Sequence, residues 1–292
     1  MSPSDGIAGT PLGGGPGFKP VGGDEFNAAS LNTRKWGTYD SVGGFGYGLR
    51  RPSAISVSGG NLVITAAGNT SGGMGDSFGQ VYGRWEVRAR TDPGRGFGSA
   101  ILLWPDSEKL SAGEIDIAEV PDEQRDLVHY VLHSGYDGNT LDGWHLPGDY
   151  TQWHTFAVDW LPNQITWYVD GTAVYKVTNR ARIPDTSMHL AIQLDEGPVK
   201  DWIFPPDTTT PPQIRLQVDW VHVYALAGAP APAPARKAPA AAPAPAHKAP
   251  AVTTPAPAPT SAPAPAPARR APASAAPTPS AKASSTKKPS AN

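Results

Sequence analysis

Three carboxylates lie within six residues of a segment that otherwise has the composition of a buried β-strand. The segment is residues 113–120 (GEIDIAEV), and the acids are Glu114, Asp116 and Glu119. Like charges on one face of a strand repel each other, so the pattern is disfavoured unless something uses or neutralises them. Paired carboxylates can perform acid and base catalysis on a glycosidic bond, and clustered carboxylates also suit a hard metal cation. Solvated surface acids without chemistry are the third interpretation.

The spacing of the three acids requires an irregularity in the strand. Side chains alternate along a strand, so Glu114 and Asp116 share one face while the neighbouring isoleucines enter the core. Glu119 has the opposite parity, and a regular strand would bury it. One extra residue at a β-bulge, which we place around the small Ala118, returns Glu119 to the face of the other two acids.

With this bulge the two glutamates can act on one sugar. They lie about four strand positions apart, or about 13 Å between Cα atoms at ~3.3 Å per residue. Long side chains that lean inward can bring the carboxyls to the ~5–5.5 Å separation of retaining glycosidases. One carboxylate then attacks the anomeric carbon, and the other, protonated at first, assists the leaving oxygen and later activates water. Asp116 would crowd its neighbours electrostatically, so that one of the three carboxyls keeps its proton to higher pH.

Short segments with alternating apolar and polar residues predict the elements around this motif. Several of them meet at hairpin signals, such as residues 58–61 (SGGN) and Asp170-Gly171. No stretch keeps a 3.6-residue period over three turns. Many strands without helices between them indicate an all-β fold, an antiparallel β-sandwich or jelly roll. Besides residues 113–120, the predicted strands lie within 53–67, 80–90, 98–105, 126–135, 154–160, 164–177, 188–195 and 215–226.

Composition divides the chain into three parts. Residues 1–17 are a flexible Gly/Pro-rich N-terminus, residues 18–226 form the folded domain, and residues 227–292 are a disordered Pro/Ala/Lys-rich tail with too little apolar surface to fold. All 26 Asp and Glu and 16 of the 24 Lys and Arg precede Ala229, so the net charge there is 16 − 26 = −10, against +8 in the tail. An acidic domain is a poor candidate for gripping phosphates, and we expect no specific nucleic-acid partner.

Two functions are open for the basic tail. Its alternating Pro and Ala favour polyproline II, a semi-rigid spacer, and its scattered Lys and Arg can also rest on an anionic cell-wall polymer. No apolar run approaches the ~20 residues that cross a bilayer, and the first residues lack the regions of a signal peptide. The chain is therefore either cytoplasmic or begins after an export signal. It has no cysteine, which excludes disulfides and thiolate metal sites, and we expect a monomer.

Residues 113–120 resemble the active-site motif of glycoside hydrolase family 16 in its bulged form, Glu-x-Asp-x-x-Glu, which is typical of its laminarinase-like (endo-β-1,3-glucanase) branch. The resemblance runs in family order from about residue 21 to 226. It implies a concanavalin A-like jelly roll with a concave substrate cleft, and hydrolysis with retention of configuration. The flanking segments that carry it are DEF at 24–26, SVSGGNLVITA at 56–66, YGRWEVRAR at 82–90, LLWPDS at 102–107, WHTFAVDW at 153–160, ITWYVDG at 165–171 and VDWVHVY at 218–224.

The resemblance also implies roles for individual residues. Glu114 would be the nucleophile, Asp116 the acid that orients and tunes it, and Glu119 the general acid/base. His133 resembles a family histidine close to the reacting sugar, and Trp104 resembles an aromatic residue of the sugar-binding cleft. Their alternatives are an ordinary strand-end residue for His133 and a core position for Trp104.

Four further residues are weaker candidates for substrate binding. They are Arg84, Trp144, His189 and Gln193, and each rests on strand parity or partial similarity. A surface position without a role is an equal alternative for each of them.

A structural calcium ion is a second implication of the resemblance. Family members often hold calcium on the convex side, and Glu25 and Asp219 fall where its ligands tend to be. Such an ion would be remote from the chemistry, and no cofactor is required for catalysis.

One segment departs from the family pattern. Relatives commonly carry Trp-Pro a few residues before the first glutamate, whereas Lys109 and Leu110 stand there in this chain. A stacking platform beside the cleft would then be missing. The departure leaves the chemistry intact and the sugar and its linkage open.

We therefore expect a retaining, endo-acting glycoside hydrolase whose partner is a β-glycan polysaccharide, with β-1,3-glucan as the first candidate. A hydrolase of another β-glycan and a transglycosylase would use the same two glutamates. A non-catalytic carbohydrate-binding protein is the alternative from a different class, because a fold does not fix a function. A polysaccharide is met outside the cell, so we expect an extracellular or cell-wall-associated protein.

Overall fold

A computed structural model describes residues 17–135 and 140–228. Within these ranges the chain forms seventeen β-strands and three 3-10 helices, with no α-helix and no helix that is long and apolar enough to span a membrane. The predictions for the N-terminus up to residue 16 and for the tail from residue 229 lie outside the described residues.

The strands are short and follow one another closely. In chain order they are β1 (Phe18–Asp24), β2 (Trp36–Thr38), β3 (Ser41–Val42), β4 (Leu49–Arg50), β5 (Ile55–Ser58), β6 (Asn61–Ala66), β7 (Thr70–Gln80), β8 (Gly83–Thr91), β9 (Phe97–Pro105), β10 (Glu114–Val120), β11 (Leu127–Ser134), β12 (Thr140–Pro147), β13 (His154–Leu161), β14 (Gln164–Val169), β15 (Thr172–Val177), β16 (Met188–Glu196) and β17 (Ile214–Leu226). The 3-10 helices are Pro52–Ala54, Leu110–Ala112 and Arg180–Arg182.

Two sheets pack face to face, which confirms the predicted all-β sandwich. The back sheet has the order β15-β14-β13-β8-β17-β6-β5, with β1 paired to β17. The site sheet has the order β12-β11-β10-β9-β16-β7-β4-β3, with β2 paired to β7. Neighbouring strands run antiparallel except β4 and β7, which are parallel. The acid-rich strand β10 lies inside the site sheet, between β9 and β11.

The core fills the space between the sheets. Alternate residues of β16, namely Met188, Leu190, Ile192 and Leu194, are completely buried in it. Because side chains alternate, the residues between them project from the opposite, outer face of the site sheet. This outer face is the surface on which the candidate site lies.

The longest strand that the sequence analysis did not predict is β7. Its sequence, TSGGMGDSFGQ, has almost no apolar alternation because glycines take the places of side chains. A Cβ on Gly73 would lie only 2.6 Å from the ring of Tyr39, and one on Gly72 only 2.9 Å from Ile55. The strand is glycine-rich because other side chains pack directly against its backbone, which an apolar pattern cannot reveal.

Candidate active site

The bulge predicted around Ala118 is present in β10. The register shifts between Asp116 and Ala118 on the β9 side, and between Asp116 and Glu119 on the β11 side. Ile117 and Ala118 are consecutive and both belong to the core, which a regular strand does not allow. The extra inward residue returns Glu119 to the outer face of the site sheet.

A tryptophan of the back sheet supports the bulge from inside the core. The Nε1 atom of Trp167 donates a hydrogen bond of 2.8 Å to the main-chain oxygen of Asp116, where the register is interrupted. Trp167 is completely buried between the sheets. The indole therefore gives a buried carbonyl at the irregularity a partner, which favours this backbone path.

The three carboxylates form one buried, electrostatically connected group. Glu114 and Asp116 are inaccessible to solvent, and Glu119 is 5% exposed. Burial raises the pKa of Glu114 well above its ordinary value, and the charges of Asp116 and Glu119 raise it further. Burial also raises the pKa of Glu119 well above its ordinary value, again with a contribution from Asp116. The group therefore keeps a proton at pH values at which exposed carboxyls have lost theirs.

His133 belongs to the same group. It lies opposite Glu114 on β11, and its Nε2 atom is 3.3 Å from Asp116 Oδ2 and 4.0 Å from Glu114 Oε2. The ring is buried, so His133 is not a solvated strand-end residue. Within the described part of the chain, these three residues are also the one group whose ligand atoms, all within 4.8 Å of one another, could share a metal ion.

Trp104 lies on the outer face of the site sheet and outside the main core. It packs with Ala100, Leu102 and Ala191 in a small apolar cluster of its own. Its Nε1 atom donates a 2.8 Å hydrogen bond to Glu108 Oε2, which fixes the plane of the indole. The structure therefore places an aromatic ring near the Glu114 end of β10, where residues of β9 pair with Ile115 and Asp116.

The structure also places His189 and Gln193 on this outer face. His189 pairs across the strands with Trp104, and its Nδ1 atom lies 2.9 Å from Asp106 Oδ1. Gln193 pairs with Ala100 of β9, and Ala100 pairs in turn with Glu119. Both side chains are nearly inaccessible, so neither is an ordinary solvated surface residue.

A pocket lies beside Glu119. It encloses ≈ 240 Å³ of space including its open mouth, and its lining includes Phe45, Ala100, Glu119, Gln193 and Trp202. Neither Phe45 nor Trp202 was predicted from the sequence. Both come from loops, one between β3 and β4 and the other between β16 and β17, where no periodic pattern marks a functional residue.

A buried ion pair, also missed from the sequence, holds one of these loops in place. Arg50 donates hydrogen bonds to both carboxylate oxygens of Asp195, at 2.7 and 2.5 Å, and the main-chain nitrogen of Gly44 donates to the same carboxylate at 3.1 Å. Asp195 also lines the pocket. The pair therefore ties the loop that carries Phe45 to strand β16.

The prediction that Arg84 contacts substrate was wrong. Arg84 lies on β8 of the back sheet, where its neighbours Trp85 and Val87 face the core, so its side chain projects from the far side of the molecule. It pairs there with Glu86 and Asp159, at 2.7 Å each. Strand parity correctly indicated an outward-facing residue, but it carries no information about which sheet the strand joins.

The prediction for Trp144 was also wrong. Trp144 lies opposite Tyr130 in the β11–β12 pair, and Tyr130 is completely buried in the core. Directly opposed residues of antiparallel strands share a face. Trp144 accordingly packs on the inner side, stacked on Tyr175 of β15 with 6.4 Å between ring centroids.

The calcium hypothesis is not supported by the positions of Glu25 and Asp219. Glu25 Oε1 lies 2.6 Å from Nε2 of His222, and Asp219 Oδ2 lies 2.5 Å from Nη1 of Arg88. A calcium site needs several oxygen ligands that converge on one point, whereas each of these carboxylates is directed to a basic partner. The two residues do not fit a calcium site in this structure, and we assign no role to the ion.

Comparison with known proteins agrees with this geometry. The family model for glycosyl hydrolases family 16 matches residues 48–222, more than half of the chain. A beta-glucanase of Rhodothermus marinus is 31% identical over 193 residues, which cover 56% of this chain and 67% of the relative. A glucan endo-1,3-beta-glucosidase A1 of Niallia circulans is 28% identical over 257 residues, which cover 69% of this chain but only 37% of that longer protein.

Solved structures show the same fold. The laminarinase from Rhodothermus marinus superposes with a TM-score of 0.63 and 26% identity, covering 72% of this chain and 98% of that one. The residues that match the family model contain the whole acidic motif and strands β4 to β16. The chain therefore belongs to glycoside hydrolase family 16 and is a glycosidase.

Proposed function

We propose that the protein is an endo-acting glucanase that cleaves a β-linked glucan, with β-1,3-glucan as the first candidate, by a retaining double displacement. The observation that carries this proposal is the bulge, which gathers Glu114, Asp116 and Glu119 into one buried group on the outer face of the site sheet. The similarity to a beta-glucanase and to a glucan endo-1,3-beta-glucosidase supports this choice of substrate.

In the first half-reaction Glu114 is the nucleophile and Glu119 is the acid. The Glu114 carboxylate attacks the anomeric carbon while Glu119 gives its proton to the leaving glycosidic oxygen. Burial and the charge of Asp116 favour the protonated form of Glu119, which is the form this step needs. In the second half-reaction the Glu119 carboxylate takes a proton from water, the water oxygen bonds to the anomeric carbon, and Glu114 is released.

Asp116 and His133 are proposed to orient the nucleophile. The contact of 3.3 Å between His133 Nε2 and Asp116 Oδ2 holds the central carboxylate next to Glu114, whose own carboxylate lies 4.0 Å from the same nitrogen. This arrangement restrains the Glu114 side chain before the sugar arrives. The proposed reaction uses the carboxylates and needs no cofactor.

Trp104, His189 and Gln193 are proposed to bind the sugars. An indole can stack on the apolar face of a pyranose, and the two polar side chains can bond its hydroxyls. Leu110, which stands where relatives carry the Trp-Pro platform, packs against the apolar cluster around Trp104.

Azide rescue of a nucleophile variant tests the proposal. Glu114→Ala should lose at least about 10⁴-fold in kcat on laminarin, since it removes the covalent step. Added azide should restore turnover and yield a glycosyl azide of inverted configuration. Full activity of Glu114→Ala would refute the nucleophile assignment. The intact protein should first be tested on a panel of β-glycans, with NMR analysis of the first anomer formed.

The same panel separates the alternatives. A transglycosylase would give longer products when an acceptor oligosaccharide is added, and a hydrolase of another β-glycan would turn over a different member of the panel. Binding without turnover of any member would indicate a carbohydrate-binding protein. We also propose that the protein acts outside the cell, because a polysaccharide substrate is met there.

A further inference from the structure

Two histidines lie next to the proposed acid/base Glu119, on the neighbouring strands towards the edge of the site sheet. Glu119 of β10 pairs across the strands with His129 of β11, and His129 pairs in turn with His145 of β12. Directly opposed residues share a face, so all three side chains lie on the outer face of the site sheet. The imidazole centroids are 5.6 Å apart.

A tryptophan from a separate loop packs against one of these histidines. The ring of Trp202 packs edge-on against His129, with 4.3 Å between centroids, and Trp202 also lines the pocket that contains Glu119. Trp202 and His129 are partly exposed and His145 is exposed. We call His129, His145 and Trp202 the leaving-group cluster. Its members come from two strands and a loop that tertiary structure brings together.

The position of the cluster indicates which sugar it would contact. On β11, the residue opposite the proposed nucleophile Glu114 is His133, whereas the residue opposite Glu119 is His129. The proposed reaction retains the sugar beside the nucleophile and releases the sugar whose oxygen is protonated by the acid. On the β9 side, the residue opposite Glu119 is Ala100, which offers no hydrogen bond. Polar groups beside Glu119 therefore come from β11 and β12 on one side and from Gln193 of β16 on the other.

The chemistry of the cluster suits an uncharged sugar. Burial and the neighbouring His145 lower the pKa of His129 to about 4, against an opposing effect of Asp122. A neutral imidazole has one donor and one acceptor nitrogen, which complement a hydroxyl group, and it does not attract an anionic substituent. The exposed part of the Trp202 indole offers an apolar surface for the ring of the same sugar.

We propose that His129, His145 and Trp202 form the subsite that binds the leaving-group portion of the glycan, and that it accepts a neutral sugar. The inference rests on the proposed function and deepens it. The cluster would bind the departing sugar, whose own anomeric carbon does not react. This binding energy would increase the rate of cleavage of a polysaccharide.

Two substrates isolate this subsite. Laminarihexaose places sugars on both sides of the cleaved bond, whereas 4-nitrophenyl β-laminaribioside has an aryl leaving group and no sugar there. We expect His145→Ala and His129→Ala each to lower the ratio of kcat/KM for the hexaose to kcat/KM for the aryl glycoside by roughly tenfold. His129→Gln, whose amide keeps a donor and an acceptor, should recover part of the loss. His222→Ala on the back sheet is the matched control and should leave the ratio unchanged.

Three results would overturn the inference. An equal loss on both substrates would show that the histidines act on the chemistry or the fold. Unchanged kcat/KM on both substrates in both alanine variants would show that no sugar contacts them. A wild-type protein that cleaves neither these two substrates nor any other β-glucan of the panel would refute the proposed glucanase function itself, and the subsite with it, which distinguishes the two failures. Because His145 is exposed, its variant is expected to fold normally, and thermal unfolding checks this.

Discussion

Glu119 is the proposed acid/base, and its burial destabilises the folded state when the carboxyl is ionised. Its pKa is raised well above the ordinary 4.5 by burial, with a contribution from Asp116. The folded protein therefore holds this proton more tightly than the unfolded chain does. The stability that the protonated group contributes is fully present below about pH 4.5 and is lost as the pH rises through the folded-state pKa.

We expect Glu119→Gln to abolish turnover and to raise the melting temperature at pH 7 by about 2–4 °C, the shift that ~1 kcal/mol produces in a domain of this size. The gain should shrink towards zero near pH 4, where the wild-type carboxyl is protonated as well. Thermal unfolding between pH 4 and pH 8 measures both effects. Glu25→Gln, on an exposed carboxylate of the back sheet, controls for the loss of one negative charge. A variant that is less stable than wild type at pH 7 would contradict this account.

At the scale of the strand, the site depends on the number of residues between Asp116 and Glu119. The bulge adds one inward residue, so Ile117 and Ala118 both enter the core. Deletion of Ala118 gives Glu-Ile-Asp-Ile-Glu, which places all three acids on one face of a regular strand. Ile117 and Ala118 together fill one register position, because only Ala118 has a partner there on β9, so deletion of one of the two should leave the register of the following residues intact.

We expect the Ala118 deletion to fold and to retain activity, reduced by up to about 100-fold because the acid moves relative to the nucleophile. Insertion of a second alanine after Ala118 should instead turn Glu119 into the core, abolish activity and lower the melting temperature. Steady-state kinetics on laminarin and thermal unfolding of both variants make the comparison. An active insertion variant would show that parity does not control the position of the acid.

Across the whole molecule, the net charge has opposite signs in the residues up to Gly228 and in the rest of the chain. The sequence up to Gly228 carries a net −10 and the remainder +8. The described residues of the site all precede this boundary, and none of the proposed catalytic steps uses a cation from the tail.

Truncation after Gly228 should leave kcat/KM on soluble glucan within about twofold of the full chain, because the site sheet and its loops remain. Retention on an anionic wall polymer should fall at low ionic strength, and the difference between the two proteins should disappear in ~1 M salt. A sedimentation assay with labelled protein measures retention. Equal retention of both proteins at low salt would favour the interpretation of the tail as a spacer.

Local patterns in the sequence were sufficient for the motif and for most strands. The alternation of side chains along β10 required a bulge, and the strand register shows one. The bulge was predictable because alternation depends only on residues that are next to one another in the chain. The same alternation in the predicted strand 188–195 puts Met188, Leu190, Ile192 and Leu194 on one face, and the structure buries all four in the core. It did not predict β7, whose glycines reflect the close packing of Tyr39 and Ile55.

The sequence by itself determined the all-β class, the face of each acid in β10 and the family. Only the tertiary structure decided that Arg84 lies on the back sheet, that Trp144 packs inward, and that Phe45 and Trp202 line the pocket beside Glu119 from separate loops. The reason is physical: alternation fixes a side chain relative to its own strand, whereas strand pairing between distant segments and the packing of two sheets decide what lies across from it.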